Sequence, residues 1–166
     1  MSALVTLIVF CQALGAIIGA TSAVWGELAY IHAMRDSKID HAERRHLDAI
    51  AHGLRWGMSL LLLSSFALVV ISFIYRSATQ PAVTDSYWAL VVFALIILFV
   101  SLELSHKRVT FALGSAIVFT SWWFLVYLTL GWLSPISFGT AFAFFVVATG
   151  VFYGILQYAR MLARPK

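Results

Sequence analysis

Six ionisable side chains stand at or just inside the ends of long uncharged runs: Glu27, His32, His52, Arg55, Glu103 and His106. A charge within a bilayer costs about 2.5–3.5 kcal/mol at a helix centre on insertion scales, so such residues are candidates for function. Several chemistries fit their types and spacing. Glu27 and Arg55 flank the same loop and can form an ion pair tying the first helix to the second. Alternatively, Arg55 snorkels to the headgroups. Glu103-x-x-His106 and Glu43-x-x-His46 share the carboxylate–imidazole spacing of di-metal four-helix proteins, with Glu27 and Asp48 as further carboxylates. His52 with His106, or His32 with His52, can offer two imidazoles to a b-type haem, or nitrogen ligands to a divalent metal. The plain reading of each residue is a solvated or interfacial side chain near a helix end. Ligand or partner binding through the six residues is expected, with haem or a metal at His52 and His106 as the alternative.

Other chemistries find little support. There is no glycine-rich phosphate loop and no Gly-x-Ser-x-Gly. Serines within the runs more often bond to the preceding turn of backbone than act as nucleophiles. Cys11 is the sole cysteine, which excludes an internal disulfide and a multi-cysteine metal site.

The elements that must position these residues follow from the uncharged runs: Met1 to Gly26, Trp56 to Tyr75, Ser86 to Leu102 and Val109 to Ala159. About 20 apolar residues span a bilayer as a helix. The last run would extend about 75 Å as one helix, more than twice the hydrocarbon thickness, so it must divide. Gly131-Trp132-Leu133-Ser134-Pro135 divides it, with Ser134 as a cap and Pro135 at a first helical position. Ser37-Lys38-Ile39-Asp40 and Asp40-His41-Ala42-Glu43 fit capping patterns, and Pro81 blocks continuation of the second helix. The expectation is an all-α integral membrane bundle of five transmembrane helices, at 3–35, 41–76, 85–105, 109–132 and 135–160, forming one domain. The first apolar run is too long for a signal-peptide core and lacks a preceding cation, so its helix is expected to be retained.

Composition agrees: 62% of residues are hydrophobic and 11% charged, against about a quarter charged in soluble domains. The net charge of +4 resides in loops, which favours anionic lipid and orientation signalling over nucleic acid. Arg35, Lys38, Arg44, Arg45 and Arg55 surround the first loop, Lys107 and Arg108 the third, and Arg160, Arg164 and Lys166 the tail. Arg76 alone marks the second loop. Cytoplasmic loops are enriched in Lys and Arg. The amino terminus is therefore expected outside and the carboxyl terminus in the cytoplasm of a bacterial-type inner membrane. Tyr75, Tyr87, Trp88 and Trp132 then fall at the outer boundary, and Trp56 and Tyr158 near the inner one.

Gly15, Gly19, Ser22 and Gly26 line one face of the first helix, and Gly150 and Gly154 repeat the device in the fifth. Small residues let helices approach closely. They predict packing within the bundle or, through Gly15, Gly19, Gly26 or Gly150, Gly154, a homodimer or larger membrane complex.

Three segments carry a family resemblance: Ala13-Leu14-Gly15-Ala16-Ile17-Ile18-Gly19, Tyr30-Ile31-His32-Ala33-Met34-Arg35-Asp36-Ser37-Lys38-Ile39, and Gly57-Met58-Ser59-Leu60-Leu61-Leu62-Leu63-Ser64-Ser65. With Ser121-Trp122-Trp123, the chain resembles small bacterial membrane proteins related to the copper-resistance D and cytochrome b561-like group. The resemblance covers about a third of the chain and implies a helical membrane protein, with haem or copper ligation in some members. Gln12 stands near the place where members often carry a histidine. The functional expectation is a non-enzymatic accessory subunit or carrier binding a partner or small ligand at its cytoplasmic side. The contrasting expectation is a membrane redox protein holding haem or metal through His32, His52 and His106.

Overall fold

Long apolar stretches must satisfy their backbone hydrogen bonds internally in lipid, and an α-helix does so within one segment. The computed structural model describes residues 2–36, 41–75, 81–106, 108–131 and 137–163, and their side chains except at 2, 33–36 and 41–48. Among the described residues, five helices are long and apolar enough to cross a membrane. They are α1 (Ser2–Asp36), α2 (His41–Ile74), α3 (Asp85–Ser105), α4 (Phe111–Thr129) and α5 (Phe138–Ala163). No strand occurs among the described residues.

The bounds of α3 match the expected ones. Thr84 caps it by accepting from the Tyr87 amide, after a short 3₁₀ turn at Pro81–Val83. α4 begins and ends inside its expected limits. Thr110 is its N-cap, and Gly131, at φ 67°, takes the left-handed conformation just after its end. Glycine enters that conformation without the Cβ penalty, which is why the helix stops here. α5 starts three residues later than expected and continues three further, to Ala163. The expected caps at Ser37, Asp40, Ser134 and Pro135 lie outside the described residues, and so does the Glu43–His46 side-chain pair.

α1 lies between α2 and α4, while α3 and α5 pack on α4. Glycines make the α1–α2 seam. A Cβ on Gly15 would stand 2.7 Å from the Leu61 nitrogen and 2.8 Å from the Gly57 oxygen. One on Gly57 would stand 2.8 Å from both the Gly15 oxygen and the Gly19 nitrogen. Real side chains do not fit at such distances, so the two backbones touch. Gly53 meets Ser22 in the same seam, and Trp122 of α4 covers Gly19 from the other side. The expected small-residue face of α1 is thus consumed inside the chain. Its counterpart is the Gly53–Gly57 pair on α2, a spacing of four that suits close helix approach. Gly15 and Gly19 are thus both covered by the chain's own helices. Gly150 and Gly154 are the opposite case, with nothing within 4 Å of their Cβ positions. Internal packing does not explain them.

The core centres on α4. Trp122, Leu125, Phe93 and Leu61 are its largest fully buried apolar side chains. Phe93, Phe124 and Phe145 join α3, α4 and α5 through ring contacts of 4.9–5.5 Å. α1 and α2 extend about 50 Å each, beyond the roughly 30 Å of a hydrocarbon core. Tyr30 stacks on Phe111, the first residue of α4, with ring centroids 4.1 Å apart. Asp36 therefore stands six residues, or about 9 Å, past that level. The α1–α2 hairpin projects from this end of the bundle, as its length predicts.

Candidate functional site

The polar focus of the molecule lies one turn inside that end, where α1, α4 and α5 meet. Arg160, near the end of α5, directs Nη2 to Glu27 Oε2 of α1 at 2.6 Å. The same nitrogen donates to Ser115 Oγ of α4, also at 2.6 Å. Arg160 is 4% exposed and Glu27 8% exposed, so this pair is withdrawn from solvent and lipid alike. The face of the guanidinium lies near two aromatic rings: Cζ is 5.2 Å from the Tyr30 centroid and 5.5 Å from that of Phe111. Cation–π attraction strengthens when the cation is desolvated, as it is here.

Helix geometry explains why these residues meet. α1 and α4 run antiparallel, with Tyr30 beside Phe111 and Gly19 beside Trp122. Glu27 then falls level with the first turn of α4, where Ser115 is the small polar residue. α5 reaches the same level near its end, at Arg160.

Sequence reasoning selected Glu27 and weighed an ion pair with Arg55 against an Arg55 that snorkels to the headgroups. Contacts of Gly15 with Leu61, Ser22 with Gly53 and Gly26 with Ile50 fix the α1–α2 register. In that register Arg55 lies opposite residue 21, about 9 Å along α1 from Glu27. Arg55 is exposed, and the carboxylate of Glu27 is engaged by Arg160 instead. The Glu27–Arg55 ion pair is thus replaced by a Glu27–Arg160 pair.

His32, His52 and His106 are all exposed. The α1–α2 register places His52 opposite Val24, about 12 Å along α1 from His32. His106 sits at the end of α3, its Nδ1 2.9 Å from the Leu102 carbonyl oxygen. Glu103 is 3.7 Å from Arg108 rather than directed at His106. No group of three metal-binding side chains occurs among the described residues.

The cluster has unused hydrogen-bonding capacity. Arg160 Nε and Nη1 are buried and make no hydrogen bond. An unsatisfied buried donor costs about 1–3 kcal/mol, and more on a charged group. Buried polar groups are ordinarily paired, so two free nitrogens on one guanidinium require an explanation. Elsewhere in the bundle Gln12 Nε2 donates to Ser65 Oγ at 2.8 Å, cross-linking α1 and α2. Ser64, Ser65, Thr120 and Ser121 bond back to their own helices. Arg160 therefore combines buried charge with open donors.

Arg160 is hard to single out in the sequence, since a cation after the last apolar run reads as an orientation signal. The available clue was its place as the first charge after 51 uncharged residues. The end of α5 carries it inside the bundle. Comparison with protein-family models, curated proteins and solved structures finds no match for this chain.

Proposed function

We propose that this chain is a non-enzymatic integral membrane protein, an accessory subunit or carrier, that binds a small ligand or a partner's polar group at its cytoplasmic end. The observation that carries the reading is the pair of buried Arg160 nitrogens without acceptors, set between three helices. The cluster holds a charge, a carboxylate and a hydroxyl. Glu27 is already engaged and Ser115 is bonded to the guanidinium, which supports binding rather than turnover.

The distribution of Lys and Arg supports an outside amino terminus, a cytoplasmic carboxyl terminus and residence in a bacterial-type inner membrane. In that orientation the Glu27–Arg160 pair faces the cytoplasm. The projecting α1–α2 hairpin then lies beside it.

Native mass spectrometry of protein extracted in mild detergent tests the reading. A non-covalent adduct is expected on the wild-type chain and absent from Arg160→Lys, which keeps the charge but loses the free donors. Wild-type protein carrying only the mass of the bare chain would remove the basis for ligand binding.

A further inference from the structure

We propose that the outer face of α2 is a docking surface for a partner's transmembrane helix that carries a carboxylate near its middle, received by Arg55. This surface is separate from the Arg160 cluster, and neither depends on the other. α2 packs chiefly on α1. His52, Arg55, Trp56 and Ser59 share one face of the helix, and all four are exposed. Leu63 and Phe66 continue that face and are 68% and 66% exposed. Arg55 has no hydrogen bond or ion pair among the described residues.

Depth sets Arg55 apart from an ordinary interfacial cation. It stands opposite residue 21 of α1 in the α1–α2 register. α1 and α4 are matched at Gly19–Trp122 and Tyr30–Phe111, which brings residue 21 level with Thr120. Thr120 is the middle residue of α4, Phe111–Thr129. α4 is about 28 Å long, close to the roughly 30 Å of the hydrocarbon core, so its middle marks the membrane's. The sequence alone puts Trp56 near the inner boundary, but the packed bundle brings it and Arg55 level with the centre. From there the headgroups are about 15 Å away, beyond the reach of one arginine side chain.

A charge at such a depth is costly unless it is paired, and polar side chains within a bilayer bond across helix interfaces. A carboxylate complements Arg55 in charge and can accept two parallel hydrogen bonds from its guanidinium. Ser59, one turn further along, adds a hydroxyl. Leu63 and Phe66 give the apolar part of the incoming helix a surface to pack on. A second copy of this chain is a poor occupant: a parallel two-fold contact brings residues of one depth to their own mates, so Arg55 would meet Arg55.

The test uses the full chain with Cys11 replaced, donor-labelled at position 84, in phosphatidylcholine vesicles. The probe is an acceptor-labelled synthetic transmembrane helix of Leu and Ala with one central Glu, and the same peptide with Gln is its control. Energy transfer should show the Glu peptide associating about tenfold more tightly than the Gln peptide. Arg55→Gln should remove that difference, and Arg55→Lys, which keeps the charge, should retain part of it. A nitroxide on Ser59→Cys should report a position deep in the hydrocarbon, protected from a water-soluble nickel relaxant. Equal association of the two peptides, or a difference that survives Arg55→Gln, overturns the proposal. So does a nitroxide at headgroup depth, since Arg55 then reaches the interface by itself. Loss of the Glu preference when phosphatidylglycerol replaces a third of the lipid would make an anionic headgroup the occupant instead. Transfer between copies of the protein that is lost in Arg55→Gln would make it a second copy, and either result overturns the helix partner.

Discussion

Glu27→Gln keeps an oxygen within reach of Arg160 Nη2 but removes the negative charge that neutralises it. The pair is buried at both ends and 2.6 Å apart. Removing one partner of such a pair costs about 3–5 kcal/mol, because the other charge is left uncompensated. The retained amide oxygen places Glu27→Gln near the lower limit, at about 3 kcal/mol. At about 2–4 °C per kcal/mol for a chain of this size, unfolding in detergent should shift down by about 6–12 °C. Arg160→Met strands the carboxylate instead and should cost about 3–5 kcal/mol. The double variant removes both charges together, so its loss should fall short of the sum by about 2 kcal/mol or more. Arg55→Gln is the control. It should change stability by no more than about 0.5 kcal/mol and add simply to Glu27→Gln. Additive losses at positions 27 and 160, or coupling between 27 and 55, would refute the assignment.

The glycine seam predicts a sharp contrast. Gly15→Val and Gly57→Val should prevent stable association of α1 with α2, whereas Gly150→Val and Gly154→Val should leave the isolated protein's thermal unfolding almost unchanged. Topology can be read by labelling: with Cys11 replaced, single cysteines at positions 37 and 84 should react from opposite sides of the membrane. Reaction of the position-37 cysteine from the periplasmic face of intact cells would reverse the orientation. Protein expressed with ample haem is expected to purify colourless, since His32, His52 and His106 are all exposed. A stoichiometric Soret band lost in His52→Ala would contradict that.

The fold was legible where chemistry is local. Pro81, Thr84 and Asp85 mark the start of α3, and the charged cluster at Ser105 to Arg108 marks its end. The span lengths likewise require a fifth helix. The α1 small-residue face was legible too, but its partner was not. Gly53 and Gly57 acquire meaning only once the register sets them against Ser22, Gly15 and Gly19. The site was half legible. Glu27 stands out as the first charge after a long apolar run, yet the choice between Arg55 and Arg160 depends on where the α1–α2 turn centres and how far α5 continues. Both are tertiary quantities, and a shift of one or two turns exchanges one arginine for the other. Gly150 and Gly154 show the converse limit, since an identical motif packs internally in α1 and stays open in α5.

Arginine side-chain ¹⁵N spectroscopy of the protein in phosphate-free detergent tests the central claim most directly, because it observes the free donors themselves. The Arg160 Nε–H resonance, assigned by its loss in Arg160→Lys, should exchange with solvent far more slowly than that of exposed Arg108. It should also shift when an acceptor binds. An Arg160 resonance that exchanges as fast as that of Arg108 and is indifferent to every added ligand would contradict a buried guanidinium held ready for binding.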